Sequence, residues 1–247
     1  MPAFLNISTY RFVDIDDPAA LRERLFDSAA AAGLKGTVLI AREGINLFVA
    51  GPEAALRAWV RDALHADARF AGLATKDSFS EAQPFRRLKV KVKAEIIRMN
   101  HPTIRPQAAR APAVDAPTLA RWLDAGVDDA GREVVTLDTR NAFEVDQGRF
   151  RGAHDWRLRK FSDFPQALRE HRAELEGKTV VSYCTGGIRC EKAALLMREA
   201  GLANVLQLDG GVLKYFEETG GQHFEGNCFV FDARGALNDT LAPTRPV

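Results

Sequence analysis

The strongest constraint on the fold is the stretch KTVVSYCTGGIRCEKAALLMREAG, in which an apolar run passes through two glycines directly into an amphipathic segment. The apolar run at 178–184 predicts a strand buried on both faces, and the following segment predicts a helix that ends at Gly201. Strand and helix alternate in the same way through residues 133–221. This alternation is typical of a parallel sheet with helices on both faces, so we predict an α/β domain here.

The N-terminal part of the chain follows a different order. We predict strands and helices in the order β-α-β-β-α-β, at 4–15, 17–33, 36–41, 45–51, 52–67 and 85–99. That order is the one of a ferredoxin-like domain. Residues 100–117 hold four prolines and no apolar periodicity, which indicates a linker. The predicted organisation is a ferredoxin-like domain at 1–99, a linker at 100–117, an α/β domain at 118–222 and a tail at 223–247.

Composition and the start of the chain indicate the cellular compartment in which the protein works. The net charge of +1 does not by itself indicate nucleic-acid or membrane binding. There are only three cysteines, and this low, odd number argues against a disulfide framework and fits a reducing compartment. The start MPAFLNISTYRFVDI lacks the regions of a signal peptide, and no apolar run reaches membrane-spanning length. We therefore expect a cytoplasmic protein that does not enter a membrane.

Cys184 lies at the predicted carboxyl end of a buried strand, where open α/β sheets place their ligands. The turn that follows and the start of the next helix comprise Thr185, Gly186, Gly187, Ile188 and Arg189. Glycines let successive N–H groups point inward, and these groups, the helix dipole and the arginine would stabilise a thiolate. A buried structural cysteine needs none of these neighbours, so we predict that Cys184 and Arg189 are catalytic. Four residues separate them, one fewer than in the C-x5-R loop of tyrosine phosphatases, which favours a sulfur species over phosphate.

Several motifs in this chain resemble a known family. LDTRNAFEVDQGRFRGA, YCTGGIRCEKA and LDGGVLKY are similar to the successive signatures of a rhodanese domain. Together with GTVLIAREGIN, RLKVKVKAEI and NCFVFDAR they resemble the rhodanese-like tRNA uridine hydroxylases over roughly residues 4–235. Members of that family convert the wobble uridine of certain tRNAs to 5-hydroxyuridine with molecular oxygen. The resemblance implies that residues 118–222 form a rhodanese domain and that residues 1–99 form an RNA-binding domain.

The resemblance also implies roles for single residues. Cys184 matches the essential cysteine of the family, which is proposed to work as a persulfide, and Arg189 matches its loop arginine. Asp138 and Arg140 match an acid and an arginine that brace the active loop, and bracing is preferred to the alternative of a direct part in catalysis. The implied partners are the anticodon region of tRNA, with molecular oxygen as co-substrate, and a sulfur-donor protein. The reductant is not implied by any motif.

Two of the remaining candidates, Cys190 and Glu144, have two interpretations each. Cys190 either resolves an oxidised Cys184 as a disulfide or packs beneath the loop, and packing is the preferred interpretation. Cys228 is predicted to be buried and inert, and Glu144 to join the loop network or to be solvated. Gly210 and Gly211 are predicted to allow close packing of a helix beside the loop.

No metal or organic cofactor is predicted. The three cysteines lack a C-x2-C pair, and the five histidines show neither H-x-H nor H-E-x-x-H spacing. No glycine-rich dinucleotide fingerprint follows a strand. How an enzyme without such groups activates oxygen is therefore left open by the sequence.

The sequence leaves two rival functions. A plain sulfurtransferase, which moves sulfane sulfur from thiosulfate, needs the rhodanese domain alone and leaves residues 1–97 unexplained. A non-catalytic RNA- or protein-binding module with a rhodanese fold is the second rival, and the intact Cys184 and Arg189 weigh against it.

A row of cations in RRLKVKVK predicts where RNA binds. On a strand, alternate residues share a face, so the cations project together while Leu88, Val90 and Val92 face the core. Residues 86–98 hold six basic residues and one acid, Glu95. An edge strand that uses lysine against aggregation is the alternative interpretation. We predict that tRNA phosphates bind Arg87, Lys89, Lys91 and Lys93.

Overall fold

The N-terminal half of the chain forms a five-stranded sheet in the computed structural model, which describes residues 4–244. Its elements are β1 (Phe4–Phe12), α1 (Pro18–Ala31), β2 (Lys35–Ala41), β3 (Gly44–Gly51), α2 (Glu53–Trp59), β4 (Lys76–Ser80) and β5 (Leu88–Val92). The strands lie in the order β4-β1-β3-β2-β5, and only β2 and β5 pair in parallel. The first four strands and the two helices confirm the predicted ferredoxin-like fold.

The strand that completes this fold was predicted wrongly. It is β4, which pairs antiparallel with β1, and not the segment 85–99. Within that segment only β5 is a strand, and it adds a fifth strand at the opposite edge, beside β2. The chain leaves the sheet after Lys93, whose N–H donates to the Ile40 carbonyl at 2.8 Å.

The apolar residues that predict α1 in the sequence also form part of the core beside this sheet. Pro18 occupies the first turn of the helix, where its missing N–H costs nothing. Leu21, Leu25 and Ala29 recur every four residues and are buried against the sheet. Gly33 follows the helix with φ of 67°, a left-handed conformation that suits glycine.

The second sheet lies in the part of the chain for which we predict an α/β domain. Its strands and helices are β6 (Ala113–Val114), α3 (Ala116–Ala125), β7 (Val134–Asp138), α4 (Ala142–Val145), β8 (Gly148–Phe150), β9 (His154–Asp155), α5 (Phe164–His171), β10 (Thr179–Tyr183), α6 (Ile188–Glu199), β11 (Val205–Leu208), α7 (Gly211–Thr219), β12 (Phe224–Gly226), β13 (Cys228–Phe229) and β14 (Ala236–Leu237). The order β6-β11-β10-β7-β9 is parallel throughout, as predicted. Two short antiparallel pairs, β8 with β12 and β13 with β14, complete the strands of this part.

Helices cover both faces of the parallel sheet, which confirms the predicted class. On one face α3 and α7 pack against Val181 and Tyr183 in a single apolar cluster. On the other face α6 contacts β10 and β11, and α5 contacts α6. Tyr183 at the end of β10 pairs with Asp138 at the end of β7, so the carboxyl ends of these two strands meet at one edge. Within residues 4–244 no helix is long and apolar enough to cross a membrane.

The chain forms two compact units that are interleaved in sequence. The first runs to Ile97 and includes Phe231–Gly235 and a segment that starts at Ala242, and the second comprises Arg98–Val230 and Ala236–Leu241. Arg234 belongs to the first unit, where it is buried and its guanidinium binds Asp232 and the Ser78 hydroxyl. The bounds 1–99, 100–117, 118–222 and 223–247 remain predictions.

Candidate active site

Cys184 follows β10 directly, and its sulfur is fully buried. Thr185, Gly186 and Gly187 carry the chain from this residue into α6. Gly187 has φ of 99°, a conformation that suits glycine, and its N–H donates to Cys184 Sγ at 3.1 Å. The sulfur therefore lies at the amino end of a twelve-residue helix, where N–H groups and the helix dipole favour an anion.

The environment of Cys184 favours its thiolate. Burial raises the pKa of the thiol, but a hydrogen bond from the Cys190 thiol, the Arg189 charge and the N–H groups of Arg189 and Gly187 lower it to about 5. Hydrogen bonds and a positive charge directed at the sulfur stabilise only the ionised form. Cys184 is thus a thiolate at neutral pH, which is the nucleophilic form.

Arg189 does not face solvent. Its guanidinium donates to both carboxylate oxygens of Glu144, at 2.6 and 2.8 Å, and both side chains are buried. Burial raises the pKa of Glu144, but the positive charge of Arg189 and its hydrogen bonds lower it overall. Glu144 also closes a capping box at the start of α4, where it accepts from the Asn141 N–H at 3.0 Å. Of the two interpretations given for Glu144, the structure shows the one in which it joins the loop network.

Asp138 and Arg140 form a separate ion pair beside the loop. Both are buried, and Arg140 donates to the two oxygens of Asp138 and to the Gly148 carbonyl, the latter at 2.6 Å. The guanidinium carbon lies 5.6 Å from the centre of the Tyr183 ring. The pair fixes the segment after β7 to the residue that precedes Cys184. Its bracing role remains a prediction, because the side chain that holds Arg189 is Glu144.

The start of α7 closes the loop from the other side. The Val212 N–H donates to the Cys184 carbonyl at 3.0 Å, and the Leu213 N–H donates to the Thr185 carbonyl at 3.1 Å. A Cβ on Gly211 would lie 2.5 Å from the Cys184 carbonyl oxygen, so only glycine allows this approach. The close packing predicted for Gly211 is therefore present. Sequence reasoning did not find the two hydrogen bonds, because backbone donors leave no trace in residue type.

The other two cysteines are also buried and free. Burial raises the pKa of Cys190 well above its usual range, and so does its hydrogen bond to Cys184. Burial likewise raises the pKa of Cys228 to about 12, as expected for an inert residue. Thr139, which the sequence did not single out, lies between β7 and α4 with its hydroxyl 3.7 Å from Cys190 Sγ. Among residues 4–244 no three or more acids, histidines or cysteines are arranged to hold a metal ion.

The predicted cation row lies along the edge strand β5. Its pairing with β2 extends beyond the strand, because the Gly36 N–H donates to the Arg87 carbonyl at 3.2 Å and Lys93 donates as described. Arg87, Lys91 and Lys93 are exposed and Lys89 is half-buried. Val92 was wrongly expected in the core. It is 46% exposed, since it ends the strand where the sheet no longer covers it.

Two family models match this chain. Residues 4–96 match the UPF0176 acylphosphatase-like domain, and residues 119–218 match the rhodanese-like domain. The fold and the thiolate loop therefore define a rhodanese-type protein with an added acylphosphatase-like domain.

Curated relatives narrow this class. The tRNA uridine(34) hydroxylase of Variovorax paradoxus is 64% identical over 98% of this chain and 92% of its own length. The enzyme of the same name from Bordetella avium is 61% identical over 98% and 99%. The chain belongs to the tRNA uridine(34) hydroxylase family. Among solved structures, the rhodanese-like domain of an Anabaena protein is 24% identical and covers 47% of this chain and 79% of its own, with a TM-score of 0.38.

Proposed function

We propose that this protein hydroxylates carbon 5 of the wobble uridine, position 34, in tRNA. The observation that carries the proposal is the buried Cys184 thiolate, held by N–H donors in a chain whose full-length relatives bear the name tRNA uridine(34) hydroxylase. The product is 5-hydroxyuridine, and the oxygen atom comes from molecular oxygen. Because tRNA-modifying enzymes work where tRNA is, we place the protein in the cytoplasm.

A cysteine sulfur suits this chemistry because uracil accepts sulfur nucleophiles at carbon 6. Addition there saturates the C5–C6 bond and makes carbon 5 nucleophilic toward an oxygen species. Loss of the carbon 5 proton and expulsion of the sulfur then restore the ring. Expulsion is easier when the pKa of the departing sulfur is low. Two electrons from a donor reduce the second oxygen atom to water.

The burial of Cys184 favours a persulfide as the attacking form. The sulfur of Cys184 is fully buried, and of the turn residues 185–187 only Gly186 is partly exposed. A second sulfur extends the nucleophile by about 2 Å. A persulfide therefore brings the attacking atom nearer to the surface without opening the loop. A sulfur-donor protein would load it.

The cations of β5 are the proposed contact for tRNA phosphates. None of Arg87, Lys89, Lys91 and Lys93 forms an ion pair with a carboxylate within residues 4–244, whereas many other arginines of the same unit do. Alternate residues on a strand are spaced by about 6.6 Å, close to the phosphate repeat of an extended strand of nucleic acid. Unpaired cations at this spacing can release counterions from RNA.

Sulfur transfer from thiosulfate is the alternative. It uses the loop but neither the first unit nor its cation row. The relatives do not favour it, since their name specifies a tRNA hydroxylase. We expect thiosulfate turnover to be weak compared with uridine hydroxylation. Efficient thiosulfate turnover in the absence of any hydroxylated uridine would establish the alternative.

Mass spectrometry of tRNA nucleosides tests the proposal directly. A strain that lacks the gene should lose 5-hydroxyuridine and its derivatives, and the wild-type gene should restore them. Cys184→Ser should not restore them, because a hydroxyl is neither ionised at neutral pH nor able to carry a persulfide. Cys228→Ser is the matched control, since that thiol is buried and protonated. Full restoration by a folded Cys184→Ser protein would refute the role of the thiol.

A further inference from the structure

The loop at residues 156–160, which follows β9, lies at the same edge of the parallel sheet as Cys184. β9 pairs in parallel with β7, so Asp155 at its end lies beside Asp138, and Asp138 lies beside Tyr183. Neighbouring strands are about 4.8 Å apart, so this loop begins about 10 Å from the strand end that carries Cys184. Its sequence is WRLRK, in which three of the five residues are basic.

Hydrogen bonds and an ion pair fix this loop to α4. The Ala142 N–H donates to the Leu158 carbonyl at 2.7 Å. The Arg157 guanidinium donates to both carboxylate oxygens of Asp146, which directly follows α4, at 2.7 and 3.0 Å. The same helix carries the carboxylate that holds Arg189 of the active loop. Both loops are therefore attached to one short helix, and the position of the 156–160 loop relative to the site is fixed.

The side chains of this segment divide into buried anchors and exposed cations. Leu158 is buried, and so is Phe161, which follows the loop. The side chains of Arg159 and Lys160, between these two anchors, are 88% and 67% exposed. The Asp163 carboxylate lies 3.7 and 3.8 Å from their nitrogens, which is too far for a hydrogen bond. Exposed ion pairs of that length contribute little, so both cations can bind another anion.

We propose that Arg159 and Lys160 bind the phosphates of the tRNA nucleotides that flank the wobble uridine, an inference that rests on the proposed function. A uridine that reacts at Cys184 must reach this edge of the sheet, so the phosphates on either side of it pass close to the loop. Exposed guanidinium and ammonium groups bind phosphate oxygens and release counterions from RNA. This contact belongs to the second unit, whereas the cation row of β5 belongs to the first.

The apolar residues of the segment favour RNA over a protein as the partner. The centre of a protein interface is apolar and becomes fully buried. Here Leu158 and Phe161 are already buried within the chain, and the Trp156 ring stacks on His171 with their centres 5.5 Å apart. The Trp156 N–H also donates to Glu174 at 3.3 Å. What the loop offers to a partner is therefore charge and not an apolar surface.

Binding of an anticodon stem–loop RNA with uridine at position 34, measured at several salt concentrations, tests the proposal. The whole protein is used, and the variant combines Arg159→Gln with Lys160→Gln. A phosphate contact on a single strand contributes about 0.7 to the slope of log affinity against log salt concentration, so the loss of two should flatten the slope by about 1.4. Between about 50 and about 200 mM salt, the affinity of the variant should then fall about sevenfold less than that of the wild type.

Two control variants separate the position of the charge from its amount. Arg159→Lys with Lys160→Arg keeps both charges and should keep the wild-type slope. Arg121→Gln with Arg198→Gln removes the same charge from exposed side chains at the other edge of the sheet, since Arg198 lies in the last turn of α6 and Arg121 binds Asp129 ahead of β7. This pair should also keep the wild-type slope. Urea unfolding and Cys184 alkylation should be unchanged in all three variants.

An unchanged slope in the Arg159→Gln, Lys160→Gln variant overturns the proposal, and so does equal flattening in the Arg121→Gln, Arg198→Gln control, because net charge alone would then explain it. If the first variant does not fold, Arg159→Gln alone should flatten the slope by about 0.7, and an unchanged slope overturns the proposal. Unchanged RNA binding with loss of 5-hydroxyuridine in cells would assign the two cations to a sulfur-donor protein and also overturn it. A wild-type protein that does not bind the RNA overturns it as well. RNA binding without hydroxylation by the wild type would refute the proposed function and leave the salt result standing.

Discussion

Replacing Gly211 by alanine should displace the active loop, and the structure allows the cost to be worked out. The residue has φ of 69°, and a Cβ there would lie 2.5 to 2.8 Å from Cys184 O, Gly187 N and Thr185 O. A left-handed conformation costs alanine roughly 1–2 kcal/mol. The neighbouring atoms are backbone and cannot rotate away, so the helix start must retreat. The two hydrogen bonds from Val212 and Leu213 are then broken, at about 0.5–1.5 kcal/mol each.

Gly220, at the other end of the same helix, provides the matched control. It has φ of 63°, and a Cβ there would meet nothing within 4 Å. Gly220→Ala should therefore lose only the conformational part, roughly 1–2 kcal/mol of the free energy of unfolding. Gly211→Ala should lose roughly 2–5 kcal/mol, the sum of the conformational part and the two hydrogen bonds.

Urea unfolding followed by tryptophan fluorescence measures this difference. In a Trp59→Phe background, the remaining tryptophans, Trp122 and Trp156, both belong to the second unit. Cys184 alkylation reports on the loop in the same samples, and it should change in Gly211→Ala and not in Gly220→Ala. Equal losses of stability with equal alkylation rates would show that the helix start does not support the loop.

Three further outcomes are expected. Glu144→Gln leaves a buried arginine unpaired and should cost about 3–5 kcal/mol in urea unfolding, while adding Arg189→Met should recover part of that loss; a larger loss in the double variant would contradict this account. The free energy of unfolding of the wild type, relative to that of Cys184→Ala, should fall as pH decreases from about 9 through about 5, because folding lowers the pKa of the Cys184 thiol from 9.0 to about 5. A difference that does not change with pH would exclude a thiolate in the folded state. Combining Lys89→Gln, Lys91→Gln and Lys93→Gln should flatten the slope of log tRNA affinity against log salt concentration, by about 0.7–0.9 for each phosphate that the protein no longer binds. Unchanged affinity and slope would show that β5 is a simple edge strand.

Much of the fold could be predicted because its signals are local. Buried parallel strands are continuous apolar runs, and TVVSY at β10 has no other interpretation once a helix follows it. The strand β4 was missed because KDSFS is a polar edge strand whose only large apolar side chain, Phe79, is 38% exposed. Its place in the sheet is set by pairing with β1, which periodicity does not encode. The apolar alternation of β5 was easier to see, and it was assigned the wrong position in the fold.

Only part of the candidate site could be predicted from the sequence. Cys184 and its glycine turn were evident, since residue type and spacing carry the chemistry. The partner of Arg189 could not be chosen from the sequence, because Glu144 lies 45 residues away and reaches the arginine only through the docking of α4. The hydrogen bond that the Val212 N–H donates depends on which carbonyl group folding brings opposite it. Contacts of that kind are a product of tertiary structure.

The interleaving of the two units affects how the protein can be made in the cell. Domains usually fold in the order of their synthesis, the N-terminal one first. Here the first unit includes Phe231–Gly235, with Arg234 buried against Asp232 and the Ser78 hydroxyl. These residues follow residues 98–230 in the chain, so the unit that begins synthesis cannot be completed until most of the second unit has been synthesised. A nascent chain stalled before residue 231 would leave Ser78 without the guanidinium of Arg234, so the synthesis of residues 231–235 is the step that allows the first unit to be completed.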